Sequence, residues 1–156
     1  MDWQTPDEIA AHVGPGGPVE AVATWIEHVQ AGRFDAAWAL TDPDYRRRLT
    51  SWWVERAGMG TIAADDLAET GPAHRAWPPF ARAVLAWMRS GLADFDPETW
   101  GAASRPRPVG PDLELVLLAN LGPEPLLFAE PVSVPSLAFL VRHTAGGWLV
   151  VGQPDD

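Results

Sequence analysis

From residue 18 onward, apolar residues recur at helical spacing. In PVEAVATWIEHVQ, Val19, Val22, Ile26 and Val29 fall on one face of a helix. Pro18 suits the first helical position, and Gly32 the stop. RFDAAWAL predicts a second, short helix. TDPDYRRRLTSWWVERAG predicts a third, with Asp42 as N-cap, Pro43 as first residue, and Tyr45, Leu49, Trp52 and Trp53 on its apolar side. Gly58 can end it. TIAADDLAE predicts a helix capped by Thr61. WPPFARAVLAWMRSG predicts another, with Phe80, Val84, Trp87 and Met88 in one stripe. A short helix is also expected over residues 6–12, inside a polar, Pro/Gly-closed leader (1–17).

After Gly101 the period shortens. DLELVLLAN, LLFAEPVSV, LAFLVRH and GWLVVGQ are short β-rich runs separated by turn signals, and they predict an antiparallel meander. Helices first and strands last give an α+β class: N-terminal helices packed on a curved antiparallel sheet of about four strands. One domain is expected over 18–153, followed by an acidic tail. Alternation along the strands is weak. Leu113, Leu115 and Leu117 point one way while Val116 and Leu118 point the other, so both faces are expected to be covered, the second by another copy in a homodimer.

Between the helical and strand-like halves lies WGAASRPRPVGPD. A proline after each arginine holds Arg105 and Arg107 extended. The stretch is expected to be a stiff connector, with anion clamping by its guanidiniums as the functional alternative.

Charge and composition narrow the chemistry. The formal net charge is −10, and all eleven basic residues are arginine. Such a surface repels phosphate backbones and anionic lipids, so neither nucleic acid nor membrane is expected as a partner. Without lysine there is no Schiff-base chemistry. Without cysteine there is no thiol nucleophile and no Cys-ligated zinc. No apolar run approaches the ~20 residues of a membrane span. The acidic start lacks a signal-peptide pattern, and a cytoplasmic location is expected. Nine tryptophans in 156 residues either fill a core or line a cavity.

Two stretches resemble a known superfamily. VATWIEHVQAGRFDAAWALTDPDYRRRL (22–49) is similar to the opening of the NTF2-like, or SnoaL/ketosteroid-isomerase-like, proteins, where a long helix and a small-Gly-Arg/Asp corner precede a second helix. LAFLVRHTAGGWLVVGQ (137–153) resembles their closing hairpin. Many members place an early strand or hairpin where SWWVERAGMGTIAADDLAE here reads as helix, so the resemblance is to a helix-enriched variant. It implies a conical α+β barrel with a pocket between helices and sheet, often dimeric. Its members include isomerases, cyclases, hydrolases, dehydratases and non-catalytic binders, so fold analogy selects no activity.

No motif names a reaction. DFDPE would need glycine and glutamate where Thr99 and Arg105 stand to be a calcium loop, so Asp96 before Pro97 reads as a helix N-cap. VGPGGPVE lacks the full dinucleotide fingerprint, and Ser104 has no nucleophile-elbow context. His12, His28, His74 and His143 show no metal-ligand spacing, and no metal or cofactor is implied. His28 in the last turn of its helix favours the helix dipole. Arg46, Arg47 and Arg48 read as a solvated face, with Asp42 serving Arg46 and Asp44 serving Arg48. Glu114, on an otherwise apolar strand, is either paired with Arg105 or Arg107 or a general base.

Three functions follow. The first is a binder of a small apolar or aromatic ligand, walled by Trp25, Trp38, Tyr45, Trp52 and Trp148, with Arg105 and Arg107 at the rim. The second is a cofactor-free isomerase, cyclase or dehydratase using Glu114 or His28 with Tyr45, the sole tyrosine. The third is a structural dimer or interaction module with a filled core.

Overall fold

A computed structural model describes residues 17–103, 105–120 and 136–154. The helix expected over residues 6–12 and the strand expected in LLFAEPVSV lie outside these residues. The chain divides into two compact units: 24–93, and 94–156 with the first 23 residues. The class is α+β, with five α-helices followed by an open antiparallel sheet among the described residues.

Helix α1 (Pro18–Gln30) buries Val19, Val22, Ile26 and Val29 as its spacing requires, and Trp25 beside them. Gly32, at φ +79°, ends it in a paired-bond cap: Gly32 N–H donates to Val29 O, and Arg33 N–H reaches back to His28 O at 2.8 Å. Helix α2 (Phe34–Ala39) buries Phe34, Ala37 and Trp38. Helix α3 (Pro43–Arg56) starts as the sequence dictates, with Asp42 Oδ2 accepting from Asp44 N–H at 2.9 Å and Pro43 following. Gly58 closes it with the same cap as Gly32.

Helix α4 (Ala64–Thr70) differs from expectation at its start. Thr61 lies in a turn closed by Ile62 N–H donating to Met59 O, so the N-cap falls on Ala63 and no side chain caps it. A 3₁₀ turn (Gly71–Ala73) leads to α5 (Trp77–Gly91), which buries Trp77, Phe80, Val84 and Met88. Trp87, expected in that stripe, is instead 47% exposed. No described helix is long and apolar enough to cross a membrane.

After α5, Asp96 Oδ1 accepts from Glu98 N–H, but the helix expected to follow it does not form. Only one turn forms, closed by Trp100 N–H on Asp96 O. WGAASRPRPVGPD is more than a connector. It contains strands β1 (Trp100–Ala102) and β2 (Arg107–Pro108), both pairing with β3 (Leu113–Asn120). Proline permits this because the run is an edge, where a missing N–H interrupts no central ladder, and because residues before proline favour extended backbone. β4 (Ser136–Thr144) pairs with β3, and β5 (Gly147–Gly152) with β4, all antiparallel.

Register assigns the faces, since directly opposed residues share a side. Val116 faces Phe139, Leu118 faces Leu137, and Val141 faces Val150. This side holds most of the sheet's buried residues. The other side carries Leu113, Leu115, Leu117, Ala138, Leu140 and Leu149, all half-buried. The β4–β5 register shifts between Leu140 and Val141, leaving Val151 as the extra residue of a bulge.

Candidate functional site

The helical unit is organised by five aromatic rings. Phe34 stacks on Trp77 with centroids 5.3 Å apart, Trp38 meets Trp77 edge-on at 5.1 Å, and Phe80 receives Trp38 and Trp53 at 5.5 and 5.7 Å. At these separations the rings occupy one another's contact surface, each pair adding about 0.5–1.5 kcal/mol beyond area burial. All five are buried. Gly71 admits the cluster: a Cβ there would stand 3.0 Å from Trp38 Nε1.

The polar tips are anchored inside the same unit. Trp25 Nε1 donates to Thr41 Oγ1, which donates in turn to Ala37 O at 2.8 Å. Trp77 Nε1 donates to Asp35 Oδ1. Arg46 departs from the solvated face expected of it. Its Nη2 and Nε donate to Trp38 O at 2.6 and 3.2 Å, and its guanidinium lies 5.3 Å from the centre of the Trp38 ring. It adds to the Thr41 N–H, which already donates to this carbonyl at 3.0 Å at the end of α2. Burial lowers its pKa from the ordinary arginine value, with Asp42 opposing the shift. Arg47 pairs with Asp44, and Arg48 covers the Tyr45 ring.

The residues proposed as cavity walls fall in both units. Trp25, Trp38 and Tyr45 are buried in the helical unit. Trp52 is 36% exposed and pairs with Trp87 on the surface at 5.6 Å, with Arg56 over its ring. Trp148 belongs to the sheet unit, where it stacks on His143 at 4.5 Å. Arg105 and Arg107 are both exposed.

The candidate catalytic groups also fall in both units. Tyr45 and His28 lie in the helical unit and Glu114 in the sheet unit. His28 Nδ1 accepts from Arg33 Nε at 3.1 Å, so in this arrangement that nitrogen carries no proton. Glu114 opposes Val141 and Pro108, whereas Arg107 opposes Leu115 and so lies on the other face. No ion pair joins Glu114 to Arg105 or Arg107. Among the described residues, no cluster of three His, Cys, Asp or Glu side chains is placed to hold a metal ion.

Sequence reasoning missed the cluster that joins Trp38 to Phe34, Trp77 and Phe80, and Phe80 to Trp53. Helical spacing marked Trp53 and Phe80 as core, but no one-dimensional signal joins three helices into one cluster. It also missed His143 beside Trp148, which becomes visible once the Thr144–Gly147 turn fixes the hairpin register. In comparisons with known proteins, no family model matches the chain, and no curated protein matches it in sequence.

Proposed function

We propose that this protein is a non-enzymatic interaction module of NTF2-like architecture that self-associates through the leucine face of its sheet. The packing of Phe34, Trp38, Trp53, Trp77 and Phe80 on one another carries the reading. Rings that touch each other fill a core, and they leave a ligand no wall to lie against. The filled-core function is thus favoured over the aromatic-walled binder.

The sheet supplies the contact surface. Leu113, Leu115, Leu117, Leu140 and Leu149 share a face whose strand positions include no carboxylate, and Arg107 and Arg142 are its charged residues. On a chain of net charge −10, this is where two copies approach with least repulsion. The row is small beside the ~20–30 residues each partner contributes to a standard interface, so the expected dimer is weak and concentration-dependent.

Sedimentation velocity over a concentration series tests this. The wild type should shift from monomer toward dimer as concentration rises, and Leu115→Glu should remain monomeric with an unchanged circular dichroism spectrum. A wild type that stays monomeric at every concentration, or a Leu115→Glu variant that dimerises equally, would sink the proposal.

A further inference from the structure

We infer that Glu114, together with the stacked His143–Trp148 pair, forms a binding site for a planar cation of the guanidinium class. Glu114 opposes Val141, Val141 opposes Val150, and His143 opposes Trp148 two positions further along β4. All therefore occupy one face of the sheet, with the two rings just beyond the buried Val141–Val150 pair. Across the β3–β4 pair the diagonal neighbour of Glu114 is His143, about 7–8 Å away between Cα atoms, a gap that a guanidinium can bridge from the carboxylate to the His143 side of the stacked pair.

Three observations give this corner its chemistry. Glu114 is half-buried, and no hydrogen bond or ion pair to its carboxylate is found among the described residues. The arginines nearest in the sheet are turned away: Arg107 opposes Leu115, and Arg142 opposes Leu113 on the far face and pairs with Asp112 at 3.6 Å. The His143 and Trp148 rings lie 4.5 Å apart at 29°, presenting a flat aromatic surface at a partly open position. A half-buried carboxylate without a countercharge is a place where an entering cation finds a partner.

The shape of the cation follows from the pair. A guanidinium offers two parallel N–H groups to a carboxylate and a planar face to an indole, whereas an ammonium offers a compact, strongly hydrated charge. The site should therefore prefer guanidinium to ammonium, and the net charge of −10 steers either one inward. The site is independent of self-association, which uses the opposite face.

The test is a nuclear magnetic resonance titration of the full chain. Methylguanidinium and the blocked peptide acetyl-Gly-Arg-Gly-amide serve as probes, with methylammonium as comparator. The Trp148 indole N–H signal is assigned from a Trp148→Phe variant. Both guanidinium probes should shift that signal saturably, and methylammonium should bind at least about fivefold more weakly, as the loss of bidentate pairing and ring stacking requires. Glu114→Gln should weaken binding at least about tenfold while keeping a dispersed spectrum, the scale expected when a charged hydrogen-bond partner is removed.

If Glu114→Gln does not fold, Trp148→Leu must show the loss instead. Tighter binding of the peptide than of methylguanidinium identifies an arginine side chain as the natural occupant, and equal binding identifies a free small molecule. Absence of a saturable shift with either probe, equal affinity for methylammonium, or full affinity in a folded Glu114→Gln variant overturns the inference.

Discussion

Gly71→Ala measures how tightly the aromatic cluster is filled. Gly71 sits at φ +64° and ψ −133°, a combination close to the region that only glycine occupies without strain. Placing a Cβ there costs about 1–2 kcal/mol in backbone strain. The new methyl would also stand 3.0 Å from Trp38 Nε1 and 3.4 Å from its Cδ1. Trp38 has little room to give, since Phe34, Trp77 and Phe80 pack around its ring and Arg46 lies over it. Overpacking of this kind costs roughly 1–3 kcal/mol. The more restricted unfolded chain returns about 0.4–1 kcal/mol, leaving a net loss of about 1–5 kcal/mol, centred near 3.

Gly32→Ala is the matched control. Gly32 has a similar φ of +79°, but a Cβ there would meet nothing within 4 Å, so only the backbone cost applies, about 1 kcal/mol net. Urea unfolding of both variants, followed by tryptophan fluorescence and far-ultraviolet circular dichroism, gives the comparison. A Gly71→Ala loss no larger than that of Gly32→Ala would show that Trp38 moves aside freely, and the filled-core argument would fail with it.

Two further substitutions probe the anchors of the same unit. Arg46→Ala removes two hydrogen bonds to Trp38 O and the cation over its ring, and should lower stability by about 2 kcal/mol in urea unfolding. Arg46→Lys should recover only part of that loss, because a lysine cannot present two parallel donors. Trp25→Phe removes part of a buried ring as well as the donor to Thr41 Oγ1, so a loss of at least about 1 kcal/mol is expected. A loss below a few tenths would show that the buried bond contributes little.

The sequence makes the local devices legible because their causes are local. Asp42 before Pro43 can do little but cap and start a helix, and Gly32 and Gly58 stand where a left-handed residue is required. The strands after residue 112 follow from β-rich runs between turns. What escapes the sequence is decided by distant partners. Arg46 has carboxylates at favourable helical spacing, yet it turns to a carbonyl on the preceding helix that only the tertiary arrangement brings close. Arg105 to Pro108 reads as a stiff linker because proline argues against strands, and only the position of the run at the sheet edge removes that objection. Trp52 and Trp87 obey the helical apolar period but meet each other on the surface, since periodicity marks a face without saying how far burial extends.

The interaction-module account is tested most directly by native mass spectrometry of the purified chain at several concentrations, with a denatured run for comparison. The account predicts a monomer and a dimer whose masses equal those of the bare chain, with the dimer fraction growing with concentration. A monomer carrying a small apolar or aromatic molecule that is released on denaturation would contradict it, because that molecule would need the space the five rings are said to fill.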